Sequence, residues 1–202
     1  MDQYQLHDFK TEHMHVQDKK KILDMINDLK NMLESNDKFY IISGKTGVGK
    51  THITYCMLAY FLKKLHERIV KTESSRYDAK DEYNSEKWRY NCISAGQVYF
   101  SYMRYMYTGI ESDKSLAYDF KIMLYSRLLI IDDLGTERKD EKGTMINALL
   151  ELLDFPNIKI IITTNLSKLD LKKKYGDKIY SRLSMDSKWY SLENQDYRRL
   201  GK

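Results

Sequence analysis

The chain has 202 residues, of which 42% are hydrophobic and 31% are charged, a balance that excludes an intrinsically disordered protein and allows one domain with a sizeable core. Its formal net charge of +5 permits binding to nucleic acid without establishing it. Two isolated cysteines exclude a disulfide framework. Neither a membrane span nor a signal peptide is visible in the sequence, so we expect a cytoplasmic protein.

The first part of the chain predicts a polar tail, a helix, a strand and a second helix. Residues 1–15 are polar, and apolar residues then recur with helical spacing over 16–33. The apolar run 39–43 leads into a glycine-rich loop, as a buried strand does. A second helical pattern covers 51–65. Residues 66–88 are dense in charges of both signs and are predicted to form a solvated helical extension or a loop.

The remainder of the chain alternates strands with helices. Strands are predicted at residues 89–94, 128–132, 158–164 and 189–192. Helices are predicted at residues 95–107, 115–125, 141–153, 169–175 and 178–184. Strands that read as continuous apolar runs and alternate with helices are typical of a parallel sheet covered on both faces.

The segment GKTGVGKT, residues 44–51, matches the phosphate-loop pattern GxxxxGK followed by Ser or Thr, between a predicted strand and a predicted helix. Glycines let backbone N–H groups turn toward a triphosphate, and the helix adds the positive end of its dipole. Lys50 is expected to reach the β- and γ-phosphates of ATP, and Thr51 to bind Mg²⁺. The predicted nucleotide-binding residues are Gly44, Lys45, Thr46, Gly47, Val48, Gly49, Lys50, Thr51 and His52.

Polar side chains follow two of the other apolar strands. Asp132 and Asp133 end one strand, and Asn165 follows another. Because ligands of open α/β sheets bind at the carboxyl ends of strands, Asp132 is expected to hold Mg²⁺ and Asp133 to polarise the attacking water. Asn165 can bridge a water and the γ-phosphate, since its amide is both donor and acceptor. Alone, a capping Asp pair or a turn-forming Asn would be ordinary; their order after a phosphate loop favours a catalytic site.

The segments GKTGVGKT, LLIIDDLG, IIITTNLS and KIYSRL resemble those of AAA+ ATPases of the DnaC/DnaI helicase-loader and IstB transposition-helper group. The resemblance covers residues 16–199. It implies a P-loop NTPase fold of the α/β class, with a five-stranded parallel sheet flanked by helices and a minimal or absent lid, over residues 16–202. By the same resemblance Arg182 is the arginine finger that reaches a neighbouring subunit's nucleotide in a head-to-tail homo-oligomer. Arg198 is the second sensor, with Arg199 as the alternative.

The function implied by this resemblance is a DNA replication ATPase that uses ATP and Mg²⁺ and contacts a replicative helicase and single-stranded DNA. AAA+ motors usually carry Glu at the position of Asp133, and the shorter Asp, which the loader group shares, suggests slow hydrolysis suited to a switch. An IstB-like transposition helper has the same motifs. A small-molecule P-loop kinase is disfavoured, because such kinases carry lid arginines and lack the DDLG–TTN–SRL order. A DNA-binding switch with negligible turnover would use the same site.

Helix 95–107 is rich in aromatic residues, and the resemblance implies that the corresponding insertion faces single-stranded DNA. These residues are Tyr99, Phe100, Tyr102, Tyr105 and Tyr107, with Arg104 among them. Aromatic rings and arginine suit stacking on unpaired bases. However, Val98, Tyr102 and Tyr105 form one helical stripe that requires burial, so stacking is favoured only for residues off this stripe. The lysines of residues 172–174 could meet a phosphate backbone or form a solvated basic helix.

Overall fold

The computed structural model describes residues 16–72, 86–107, 118–137 and 143–193. The predicted polar tail, residues 1–15, lies outside the described residues. Arg198 and Arg199, and the segment in which a lid would begin, also lie outside them, so the expectation of a minimal or absent lid stays a prediction.

Five strands and six helices alternate along the described residues. The strands are β1 (Phe39–Gly44), β2 (Tyr90–Ser94), β3 (Leu128–Leu134), β4 (Lys159–Thr164) and β5 (Ser187–Leu192). The helices are α1 (Val16–Lys30), α2 (Lys50–Thr72), α3 (Ala95–Tyr107), α4 (Tyr118–Leu124), α5 (Thr144–Asp154) and α6 (Lys168–Met185), and a 3₁₀ turn, Lys87–Arg89, precedes β2. Among these, no helix combines the length and the apolar character needed to span a membrane.

The five strands form one sheet in the order β2-β3-β4-β1-β5, and every neighbouring pair is parallel. This confirms the predicted α/β class and the five-stranded parallel sheet. The chain leaves β1 for the far edge of the sheet and returns through β3 and β4 to the side of β1. The loops that follow β1, β3 and β4 therefore meet at the same edge, where ligands of such sheets bind.

Helices cover both faces of the sheet. Alternate residues of each strand point to opposite faces, so each strand contributes apolar side chains to both layers. Tyr40 and Ile42 of β1 pack with apolar residues of α1 and α2. Phe39 and Ile41 pack on the other face with residues of α3, α4, α5 and α6. The central strands are thus apolar on both sides, which explains why they read as continuous apolar runs in the sequence.

Two lysines beside the strands donate hydrogen bonds to backbone carbonyls that follow helices. Lys38 Nζ, just before β1, donates to the carbonyl oxygens of Leu153 and Phe155 at 2.5 and 2.8 Å, at the end of α5. Lys159 Nζ, at the start of β4, donates to two carbonyl oxygens in the turn after α1, at 2.6 and 2.7 Å. The Lys38 ammonium group thus satisfies carbonyls at the end of α5, whereas Lys159 ties the turn that follows α1 to the start of β4.

Helix α2 continues to Thr72, beyond the predicted end at residue 65. Leu65 and Ile69 are spaced four residues apart and are both buried against the α1–α2 side of the sheet. The helical extension is therefore not simply solvated, because Ile69 prolongs the buried face of α2. The rest of the charged segment, residues 73–85, lies outside the described residues.

Helix α6 corresponds to the two helices predicted at residues 169–175 and 178–184. Gly176 separates the two halves with a non-helical backbone, at φ 82° and ψ 173°. The hydroxyl of Ser167 caps the first half by accepting a hydrogen bond from the Asp170 N–H at 3.2 Å. The prediction of two helical segments is thus confirmed, with Gly176 as the break.

Candidate nucleotide-binding site

The loop between β1 and α2 depends on glycine backbone conformations. Gly47 and Gly49 have φ values of 86° and 91°, which residues with a Cβ rarely adopt. At Gly44 a Cβ would lie 2.5 Å from the carbonyl oxygen of Leu192. Val48 is buried in the core beneath the loop, whereas Lys45 and Thr46 are exposed at its tip. The loop is therefore anchored by one apolar side chain and free of bulky side chains where its backbone turns.

The ammonium group of Lys50 lies among oxygen atoms. The residue is only 5% exposed, and its Nζ donates to the carbonyl oxygens of Gly44 and Lys45 at 2.8 and 2.9 Å. It also donates to Asn165 Oδ1 at 2.6 Å. The structure thus brings two predicted site residues, from the loop after β1 and from the end of β4, into direct contact.

Thr51 and Asp132, the two residues predicted to bind Mg²⁺, face each other. Thr51 Oγ1 donates to both carboxylate oxygens of Asp132 at 3.1 Å, and Thr163 Oγ1 donates to Asp132 Oδ1 at 2.5 Å. Mg²⁺ characteristically binds one or two carboxylates together with substrate phosphates and waters. The hydroxyl and carboxylate oxygens gathered here fit that donor set.

Asp133 lies at an irregularity of β3 in a left-handed backbone conformation. Its φ is 57°, and the pairing of β3 with β4 shifts between Ile131 and Leu134. Its N–H donates to Thr163 Oγ1 at 2.8 Å. A non-glycine residue in this conformation costs about 1–3 kcal/mol, and such residues cluster at active sites. The predicted strand end at residue 132 is therefore wrong: β3 continues to Leu134, and the irregularity reorients Asp133 within it.

Comparison with known proteins finds similarity in the fold and none in the sequence searches. No protein-family model matches the sequence, and no curated protein matches it. The solved structure of the DnaC helicase loader has a TM-score of 0.61 at 20% identity, covering 89% of this chain and 92% of that chain. The DnaI structure has a TM-score of 0.61 at 14% identity, covering 94% of this chain and 91% of that chain. This chain has an AAA+ fold.

A third similar structure is the replication initiator DnaA bound to AMPPCP and single-stranded DNA. It has a TM-score of 0.64 at 16% identity, and the match covers 96% of this chain but only 51% of that chain. The predicted P-loop AAA+ fold and its resemblance to DnaC and DnaI are thereby confirmed at the level of the fold.

Arg182, the predicted arginine finger, lies in the second half of α6 and pairs with a carboxylate of its own chain. Its Nε donates to Asp154 Oδ1 at 2.5 Å, and its second guanidinium donor reaches Asp154 Oδ2 at 2.8 Å. This bidentate pairing lowers the pKa of Asp154. The structure does not bring Arg182 into the described contacts of Lys50, Thr51 or Asp132.

His52, the last predicted nucleotide-binding residue, lies in the first turn of α2. Its Nε2 and Cys56 Sγ are 3.5 Å apart. This contact runs along the helix, between residues four positions apart. Arg198, predicted as the second sensor, lies outside the described residues.

Sequence reasoning missed Glu137, which follows the Asp pair in the loop after β3. Its side chain is only 2% exposed. Its carboxylate accepts hydrogen bonds from the Gly135 N–H at 2.9 Å and the Tyr175 hydroxyl at 2.5 Å, and it pairs with Lys174 Nζ at 2.8 Å. Burial alone would raise the pKa of Glu137, but the hydrogen bonds from Lys174 and Tyr175 outweigh burial and lower it. No motif in the sequence indicated this cluster, because two of its members come from a distant helix.

On α3, the predicted stripe belongs to the core. The rings of Tyr102 and Tyr105 have centroids 5.0 and 5.3 Å from that of Phe120 on α4. Val98 is buried beside them, and the Tyr102 hydroxyl donates to Glu151 Oε1 on α5 at 3.0 Å. The stripe therefore packs rather than stacks on DNA.

The α3 residues off the stripe differ from one another. Phe100 is 57% exposed, and Arg104 is also exposed. Together with Gln97 they line a cavity of about 500 Å³ between β2, α3 and α4. Tyr99 instead packs partly against the core, and the side chain of Tyr107 lies outside the described part of the structure.

The lysines of residues 172–174 are partly engaged within the chain. Lys174 pairs with Glu137, and Lys172 Nζ lies 2.8 Å from Asp177 Oδ1. These contacts favour the interpretation of this run as a helix surface with its own acidic partners.

Proposed function

We propose that this AAA+ domain binds ATP with Mg²⁺ and hydrolyses it slowly, as a nucleotide-dependent switch in DNA replication. The observation that carries the proposal is the meeting of two pairs at one sheet edge: Lys50 with Asn165, and Thr51 with Asp132. Each pair joins the phosphate loop to the end of a different strand. A γ-phosphate bound at this site would therefore contact residues of both β3 and β4, and its loss on hydrolysis would be sensed at both strands.

In this proposal the residues have separate roles. The loop glycines and the start of α2 bind phosphate through backbone N–H groups, and Lys50 supplies the positive charge. Thr51 and Asp132 hold Mg²⁺, which neutralises phosphate charge when it is bound. Asp133 orients and polarises the attacking water, and Asn165 bridges that water and the γ-phosphate.

The proposed assembly is a head-to-tail homo-oligomer in which Arg182 serves the nucleotide of the next subunit. In the described structure Arg182 pairs with the surface carboxylate of Asp154, and in the proposed assembly it exchanges that partner for a phosphate, which its guanidinium can bind in the same bidentate way. Such contacts are heterologous and produce a ring or an open spiral. We extend the AAA+ domain over residues 16–202, with Arg198 as second sensor, and assign the protein to the cytoplasm.

The proposed partners are a replicative helicase and single-stranded DNA. Support comes from the similarity to DnaC and DnaI over about nine-tenths of both chains and to a DnaA structure that holds single-stranded DNA. On this chain, the exposed Phe100 and Arg104 of α3 form the proposed DNA contact. A transposition helper would share the nucleotide site, and the nearly full-length matches to helicase loaders favour the replication role.

The proposal is tested by titrating the purified protein with a fluorescent ATP analogue, with Mg²⁺ and with EDTA, and by following phosphate release. We expect Mg²⁺-dependent tight binding and slow release of phosphate. Affinity capture with the immobilised replicative helicase, and in parallel with a transposase, then identifies the pathway. Failure to bind the analogue would refute the nucleotide site, and capture by the transposase alone would refute the replication role.

A further inference from the structure

Glu137 is a buried carboxylate whose donors come from two parts of the fold. The Gly135 N–H lies in the loop that follows Asp133, whereas Tyr175 and Lys174 lie at the end of the first half of α6. A buried charge needs such partners, since an unpaired charge in a protein interior is strongly destabilising. The carboxylate therefore connects the loop after β3 to α6.

The same loop is held at several further atoms. Lys174 Nζ also donates to the Gly135 carbonyl oxygen at 2.6 Å. Thr136 donates from Oγ1 to the Asp133 carbonyl oxygen at 2.8 Å, which closes a turn directly behind Asp133. Gly135 itself has φ 110°, and a Cβ there would lie 2.8 Å from the Leu166 side chain. These contacts, together with those of the Glu137 carboxylate, restrict the backbone conformation between Asp133 and Glu137.

We propose that Glu137 is a positioning residue for ATP hydrolysis: by fastening the loop to α6 it holds the backbone of Asp133 in its left-handed conformation. This inference rests on the proposed ATPase function. The described partners of Glu137 lie in the loop after β3 and in α6, and not in the phosphate loop of residues 44–51. Loss of the network therefore changes the placement of Asp133 while the phosphate loop keeps its own contacts.

The expected signature is a loss of turnover without a matching loss of nucleotide affinity. A displacement of about 1 Å at a catalytic group can cost on the order of 100-fold in rate. We expect kcat to fall at least about tenfold on that basis, while the Kd for a fluorescent ATP analogue stays near the native value. A residue that only stabilised the fold would instead leave kcat per folded molecule unchanged.

Two variants remove the contact from opposite sides. Tyr175→Phe deletes one hydroxyl and keeps the buried ring, and Glu137→Gln keeps the shape and removes the charge. The matched control is Asp177→Asn, which breaks the exposed ion pair with Lys172 on the same helix, where the Asp177 side chain is 82% exposed. Because both test variants break one shared interaction, the double variant should lose less than the product of the two single losses.

The measurements are kcat, analogue Kd and melting temperature, with amide hydrogen exchange of the nucleotide-free proteins at residues 133–137. Both test variants should lower kcat, keep Kd and exchange faster at the Gly135 amide, while the control matches the native protein. If Tyr175→Phe and Glu137→Gln both turn over ATP at the native rate, the positioning role is wrong, while the proposed ATPase function is unaffected. Equal losses in kcat and affinity would also overturn it. A native protein without hydrolysis would overturn the proposed function, and the positioning role with it.

Discussion

In the proposed complex with ATP, Lys50 is the residue on which binding of the triphosphate depends most directly. Its Nζ already lies among the loop carbonyls and Asn165, and in the proposed complex it supplies the charge that meets the β- and γ-phosphates. We therefore predict that Lys50→Ala abolishes binding of a fluorescent ATP analogue. Circular dichroism of the variant controls for folding. An unchanged affinity in a folded variant would remove the basis for the nucleotide site.

Asp133 is expected to act on the rate and not on binding. Replacing its carboxylate by an amide in Asp133→Asn removes the charge that polarises water, and leaves the phosphate loop intact. We predict native affinity for the ATP analogue and a loss of phosphate release of about 100-fold or more, within the usual range for general-base catalysis. If the variant releases phosphate at the native rate, Asp133 is not the base.

Glu137 should also contribute a pH dependence of stability. Its pKa in the folded protein is lowered from the ordinary value of 4.5, so the native state binds the proton more weakly than the unfolded state does. The stabilisation is therefore present above about pH 4.5 and is lost as the pH falls through the lower native pKa. Urea unfolding at pH 7 and at pH 4 should show a smaller pH-dependent loss of stability for Glu137→Gln than for the native protein. An identical loss in both proteins would show that Glu137 does not contribute.

At the scale of elements, α3 presents a buried and an exposed surface, and only the exposed one is available for DNA. We predict ATP-dependent binding of a labelled single-stranded oligonucleotide with steep salt dependence, measured by fluorescence anisotropy. Phe100→Ala should weaken binding by about 1–3 kcal/mol through lost stacking. Arg104→Ala should weaken it and reduce the slope of log affinity against log salt by about one.

The control for this prediction is Lys20→Ala on α1, which removes one exposed positive charge on the opposite face of the sheet. It should change affinity little beyond the effect of net charge. Tyr99 is a poorer probe, because it packs partly against the core. Indifference of binding to both Phe100→Ala and Arg104→Ala would exclude α3 from the DNA contact.

At the scale of the whole molecule, the proposed active site is complete only between subunits. Lys50→Ala subunits lack a working loop but still offer Arg182, whereas Arg182→Ala subunits keep the loop and lack the finger. Mixing the two inactive variants should therefore restore part of the ATPase activity in trans, at concentrations where subunits associate. The native specific activity should also rise with protein concentration. A mixture that stays inactive although both variants oligomerise would show that the finger assignment is wrong.

The sequence by itself determined the features that depend on local patterns. The loop of residues 44–51 was predictable because its glycines, lysine and threonine occur at fixed spacing, and glycine is the residue for the left-handed turns observed at Gly47 and Gly49. The apolar runs before Asp132 and Asn165 likewise predicted buried parallel strands, since both faces of such strands are covered. The two helical segments at residues 169–175 and 178–184 were also predictable, and Gly176 lies at the break between them.

Only the tertiary structure decided which of these pieces meet, because the deciding contacts join residues far apart in the chain. Lys50 and Asn165 are 115 positions apart, and Glu137 receives a donor 38 positions away, so no local pattern marks either contact. The order of the strands in the sheet also depends on contacts between distant segments. So does the difference between Tyr99, which packs against the core, and Phe100, which is exposed. Side-chain burial is a property of the assembled layers, and it is set by neighbours that periodicity along one helix does not identify.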